Sequence, residues 1–158
     1  MARLAAVQAL YQIEINGIQP TGANVDAVVR EFVKHRLGQE IDGDQYAEVD
    51  RDLFADILKG AASRLRDIDG MISSALTEDW PLERLEAILR AILRASVYEL
   101  LVRHDVPPRV TLSEYIDIAH AFFTGKEPAL VNGVLDRLAR VLRPDDLGRG
   151  RGGGSKSD

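Results

Sequence analysis

The chain has 158 residues, 46% of them apolar and 28% charged, the balance of a soluble globular domain long enough to bury a real core. It has no cysteine, which excludes disulfides, cysteine–zinc sites and cysteine nucleophiles. Net charge is −5, which argues against nucleic-acid binding through bulk charge alone. In residues 148–158, Arg149, Arg151 and Lys156 stand against Asp158; that tail is therefore +2 and the rest of the chain −7. Any RNA contact must come from a local basic patch or from a partner. No apolar run approaches the roughly 20 residues of a membrane span. The start, MARLAAVQALYQIE, is interrupted by Gln8, Gln12 and Glu14 and does not read as a signal segment. A cytoplasmic location without membrane contact is the expectation.

Residues 2–16 read as a first helix, with Leu4, Val7 and Tyr11 on one stripe and Leu10 and Ile13 widening it. Gly17 stops it, and Pro20 marks a loop. Asn24 or Asp26 can cap a second helix through about Arg36, with Val25, Val28, Val29, Phe32 and Val33 as its apolar face. Residues 37–49 hold two glycines and read as a surface connection. Asp50 is the expected cap of one long third helix, along which Phe54, Ile57, Leu58, Ala61, Leu65, Ile68 and Ile72 recur almost to Leu76. Gly60 and Gly70 within it are expected to mark close approach of a neighbouring helix, since each costs up to about 1 kcal/mol against alanine.

Trp80-Pro81 ends that segment. A fourth helix is expected from about Leu82 to His104, with Leu85, Ile88, Leu89, Ile92, Leu93, Val97, Leu100 and Leu101 as its apolar face. Glu86, Arg90 and Arg94 share a separate stripe. Pro107 and Pro108 stop it. Thr111-Leu112-Ser113-Glu114 has the spacing of a capping box and predicts the start of a fifth helix, which Gly125 ends. Pro128 suits the first turn of a sixth helix, where Val131, Val134, Leu135, Leu138, Val141 and Leu142 repeat at three and four. Residues 145–158 read as a flexible tail. No segment alternates with period two. The expected fold is all-α, a compact bundle of six to seven helices.

Catalytic patterns are weak. The three histidines lie on three different elements, and Asp117 with His120 offers two metal ligands at most. Neither H-E-x-x-H nor G-x-S-x-G occurs. Gly148-x-Gly150-x-x-Gly153 follows no strand, so it reads as composition rather than a dinucleotide loop. No enzyme activity, metal or cofactor is expected. Arg94, Glu99, Ser113, Glu114 and Asn132 lie on or beside apolar stripes; the expectation is a buried polar network tying helices four, five and six together. Gly133 next to Asn132 suggests a tight helix crossing.

Three segments carry a resemblance: ARLAAVQALYQ near the start, LRASVYELLVRHDVPPRVTLSEYIDIAHAFF in the middle, and VNGVLDRLARVLRP at the end. Together they resemble the NusB family of bacterial transcription antitermination factors over residues 2–144. The resemblance implies a bundle in two subdomains, about 2–78 and 82–144, and an RNA-binding adaptor rather than an enzyme. It implies boxA-type single-stranded RNA at the start of ribosomal RNA transcripts as ligand. The small-subunit ribosomal protein NusE is the implied partner, within an RNA polymerase antitermination complex with other Nus factors.

By that resemblance the RNA surface centres on an arginine-rich N-terminus, of which only Arg3 is matched here. Gln8, Arg109, Lys126 and Leu130 match by position as further RNA contacts. Glu86, Arg90 and Phe123 are the candidate partner contacts, whereas Tyr11 reads as core between the subdomains. A homodimer is compatible with the family. Two other readings stay open: the RNA-binding domain of a ribosomal-RNA methyltransferase, and a helical interaction module without an RNA role. RNA binding is expected to be weak for the chain alone and tighter with the ribosomal partner.

Overall fold

The computed structural model describes residues 2–37 and 44–146, and among them every regular element is helical. Helix α1 (Ala2–Ile15) buries Ala2, Ala5, Ala6, Val7, Ala9, Leu10 and Ile13. Its alanines let α3 and α5 approach closely on both sides. It ends as the sequence predicts, at Gly17, which takes φ +65°. The Gly17 amide donates to the Glu14 carbonyl (3.1 Å) and the Ile18 amide to the Ile13 carbonyl (3.0 Å), the paired bonds of a Schellman cap.

Helix α2 (Gly22–Phe32) starts earlier than either expected cap, with Thr21 at its N-cap position, and continues into a π-turn over Val33–Leu37. Asn24 instead donates its amide to the Gln19 carbonyl at 3.1 Å. The expected single third helix is two: α3 (Asp44–Ser63) and α4 (Leu65–Ala75). The break has a local cause. The Ser63 hydroxyl turns back to the Gly60 carbonyl (3.0 Å), which the Arg64 amide also approaches at 3.2 Å; such back-bonding bends helices. Residues 44–49, expected in a connection, begin α3, and residues 38–43 lie outside the described residues.

The fourth predicted helix also starts late. Leu82–Arg84 is one 3₁₀ turn, Leu85 is extended, and α5 runs Ala87–Val102. Helix α6 (Pro108–Phe122) begins one turn before the predicted capping box, with Pro108 in its first turn and Pro107 extended before it. Thr111 is consequently inside the helix, its hydroxyl buried without a hydrogen-bond partner, and no capping box forms. Helix α7 (Glu127–Leu142) carries Pro128 in its first turn, as expected.

Helix α1 packs against α3 and α5, α2 rests on α3, α6 and α7 pair and cover α5, and α4 bridges α5 and α7. One hydrophobic cluster runs through all of them. Gly60 does mark a close approach: a Cβ there would overlap the Tyr98 ring, whose hydroxyl donates to Asp56 at 2.6 Å. Gly70 and Gly133 do not, since nothing lies near a Cβ built at either. The bundle closes at Arg143. Its buried guanidinium donates to the carbonyls of Leu100, Arg103, His104 and Val106 at the end of α5, and to Asp146 at 2.6 Å. Residues 147–158, with the Arg/Gly-rich stretch, lie outside the described residues.

Candidate functional site

The start of α1 meets the start of α6 at Arg3 and Glu114, and its later turns face Phe122 near the end of α6; of the singled-out side chains, Arg3, Gln8, Glu86, Glu99 and Glu114 lie along this seam. Near the start of α1, Arg3 donates from Nε to Glu99 Oε2 (2.8 Å) and from Nη2 to Oε1 (3.0 Å). Its Nη1 stands 3.6 Å from Glu114. Glu99 is completely buried, and the Tyr115 hydroxyl donates to the same carboxylate. Burial opposes the charge on Arg3, but the bonds and field of Glu99 outweigh it and hold the guanidinium protonated above its ordinary value. Burial, then the Glu99 carboxylate, push the Tyr115 hydroxyl well above its usual range.

Toward the far end of the seam the surface opens into a groove of about 600 Å³. Gln8, Tyr11, Gln12 and Ile15 of α1 form one wall, Glu86, Ala87 and Ile88 the other, and Phe122 of α6 closes it. Its apolar side chains are open to solvent: Tyr11 is 36% exposed, Ile15 56% and Phe122 41%. Tyr11 is therefore groove lining rather than the core residue its stripe suggests. Phe122, not Phe123, presents the exposed ring; Phe123 is half-buried against the core.

Behind the groove lies an ion network. Glu14 accepts from Arg90 Nε (3.0 Å) and Nη2 and from Arg94 Nη1 (2.8 Å). Arg94 reaches on to both oxygens of Asp69, at 2.8 and 2.9 Å. The remaining Arg90 nitrogen, Nη1, donates to the Leu85 carbonyl and lies 3.4 Å from that of Leu82. Partial burial raises the proton affinity of Glu14, but the two arginines more than reverse this and hold it below the ordinary carboxylate value. Arg90 is thus an internal clamp, not the exposed partner contact expected.

The expected single polar network is in fact two. Arg94 belongs to the one on Glu14, and Glu99 to the one on Arg3 and Tyr115. Glu114 touches the second only through Arg3, with its side chain half exposed. Ser113 and Asn132 are exposed and belong to neither. Their apolar neighbours share the helix but not the face. Arg109 and Lys126 are exposed, at opposite ends of the α6–α7 hairpin. Leu130 is half-buried against the core. Asp117 and His120 are exposed, and no group of three or more metal-ligating side chains converges among the described residues.

A sequence model of the NusB family matches residues 1–140. The chain belongs to the NusB family. The transcription antitermination protein NusB of Brucella anthropi is 53% identical over 148 residues, covering 94% of this chain and 85% of that protein. The corresponding protein of Bradyrhizobium diazoefficiens is 48% identical over 149 residues, with 94% and 87% covered. The solved structure of T. maritima NusB superposes with a TM-score of 0.72 at 31% identity, over 92% of this chain and 94% of that one. Family, fold and coverage make this chain a transcription antitermination factor.

Arg3 is committed to Glu99, so its charge is already neutralised by the protein. Sequence reading missed Tyr11, Ile15 and Phe122 as a shared surface, although the spacing of Tyr11 and Ile15, four apart, puts them on one face of α1. It also missed Glu14, whose role depends on Arg90 and Arg94 from a distant segment.

Proposed function

We propose that this chain acts in the cytoplasm as the RNA-binding adaptor of an antitermination complex, with residues 2–78 and 82–144 as its two subdomains. In this reading it binds boxA-type single-stranded RNA together with the small-subunit ribosomal protein NusE, within an RNA polymerase assembly that includes other Nus factors. The observation that carries the reading is the 53% identity over 94% of the chain to an antitermination protein. That relative is matched over 85% of its own length, which favours the adaptor over a methyltransferase-linked domain.

The RNA runs along α6 beside the groove. Arg109 and Lys126 supply phosphate contacts and Gln8, at the groove edge, a base-edge contact, while Leu130 adds an apolar edge. Arg3 serves by fixing the start of α1 rather than by meeting phosphate. The partner occupies the groove, with Tyr11, Ile15, Ile88 and Phe122 as the apolar floor and Glu86 as the charged rim, the usual layout of a protein interface. An acidic chain with few free cations at the seam binds RNA weakly alone; the partner adds the missing contacts.

The test is a titration of labelled boxA RNA into the chain alone and into the chain with NusE, at two salt concentrations. Affinity should rise at least roughly tenfold with the partner, about 1.4 kcal/mol, and fall with salt in both cases. Equal affinity with and without the partner removes the adaptor reading.

A further inference from the structure

We propose that Glu14 is a positioning residue for partner binding: it sets the spacing of the two groove walls through Arg90 and Arg94 without touching the partner itself. The inference rests on the reading of the groove as the partner surface. Three features of the geometry lead to it.

First, Glu14 stands on the helix that forms one wall. It comes three residues after Tyr11 and one before Ile15, both groove residues, yet it does not line the groove. Second, its main partner stands behind the other wall. Arg90 follows Glu86 by one helical turn and also gathers the carbonyls of Leu82 and Leu85. It therefore holds the 3₁₀ turn and the entrance of α5, where Glu86, Ala87 and Ile88 lie, to α1. Third, Arg94 ties the same carboxylate to Asp69 on α4. Through its two arginines, one side chain thus ties α1 to α5, α4 and the 3₁₀ turn on the flank of the groove, at the edge of a second, smaller cavity that Glu14 and Arg94 line.

The alternative is that the network serves general stability. The Glu14 side chain is 31% exposed while Arg90 and Arg94 are 14% and 13% exposed, so the network contributes some stability, and the variants below separate that contribution from positioning. A bidentate, three-helix arrangement also fixes direction and spacing, which is what a preformed binding surface requires.

The test measures NusE affinity by calorimetry, and the unfolding midpoint, for the wild-type chain and five variants. Glu14→Gln keeps the shape and removes the charge; it should weaken binding roughly tenfold while moving the midpoint by only a few degrees. Glu14→Asp, which keeps the charge at shorter reach, should restore part of that affinity. Glu14→Gln combined with Arg90→Gln should be no weaker than Glu14→Gln alone, because both break one device. Arg137→Ala is the control for stability. It loses a bond to the Ala75 carbonyl, 2.7 Å away on the α4–α7 side, and should leave affinity unchanged. Phe122→Ala reports on the groove itself and should weaken binding. If Phe122→Ala weakens binding and Glu14→Gln does not, the positioning role is overturned while the groove reading stands. Equal losses in Glu14→Gln and Arg137→Ala would also overturn it, because the effect would then be stability. No loss in Phe122→Ala would sink the groove reading, and this inference with it.

Discussion

The two ends of α1 are held by ion pairs of opposite construction. At the start the helix supplies a cation, Arg3, to a carboxylate that is completely buried on α5. At the end it supplies a carboxylate, Glu14, to two arginines of the same α5, with 31% of the Glu14 side chain still in water. The first pair has been taken out of solvent, so removing one partner strands a charge in the core. In the second only the carboxylate keeps contact with water, its arginines being about as buried as Arg3, so losing that carboxylate costs less than stranding Glu99. The same helix is therefore bolted to the core at one end and adjusted at the other, and the adjustable end is the one beside the groove.

This comparison breaks most visibly at Arg3. Arg3→Ala should cost about 3–5 kcal/mol because Glu99 loses its counter-charge, and calorimetry should show the midpoint falling by roughly 10 °C. A midpoint unchanged within a degree or two would return Arg3 to the solvent-facing RNA contact that the sequence suggests. Tyr115→Phe is next. It removes one hydrogen bond from the same buried carboxylate, and urea unfolding should register a loss of about 1–3 kcal/mol. Glu14→Gln should cost less than Arg3→Ala, about 1–2 kcal/mol by the same measure, because its carboxylate is partly in water while Arg90 and Arg94 are largely buried; a loss as large as that of Arg3→Ala would erase the distinction between the two ends. Asn132→Ala should fall within about ±0.5 kcal/mol, as for an exposed position.

The two ends also titrate in opposite directions. Glu14 is held below its ordinary 4.5, so its stabilisation is complete above that value and disappears as pH falls through the lowered one. Tyr115 is held above its ordinary 10.0, so its stabilisation is complete below that value and disappears as pH rises through the raised one. Stability measured against pH should accordingly lose part of its acid limb in Glu14→Gln and part of its alkaline limb in Tyr115→Phe. Limbs that match the wild type would take these groups out of the pH response.

The parts of the molecule legible in the sequence are those governed by local rules. Helical spacing located most of the buried faces, although Tyr11 and Val141 on the expected stripes are exposed, and Gly17 located the end of α1 and Pro128 the start of α7. Where the reading slipped, a side-chain bond or a proline within a turn or two had changed a backbone choice that apolar spacing does not record. Arg90 draws off the carbonyls of Leu82 and Leu85, so α5 starts at Ala87. The Ser63 hydroxyl competes at Gly60, so one expected helix is two. Pro108 outweighs the Thr111 capping signal. Arg143 looks like an ordinary helix-end arginine in the sequence, and only the fold shows it closing the end of α5. The same holds for the candidate site. Residues at matching positions were found, but whether an arginine faces RNA or a buried glutamate depends on what packs against it, and that is not a property of spacing.

The most direct measurement is read-through of a terminator by RNA polymerase on a template carrying boxA, with and without this chain, in the presence of NusE and the other Nus factors. Read-through that rises on adding the chain, and falls back when boxA is scrambled, is the predicted result. Read-through that does not respond to the chain would contradict the account.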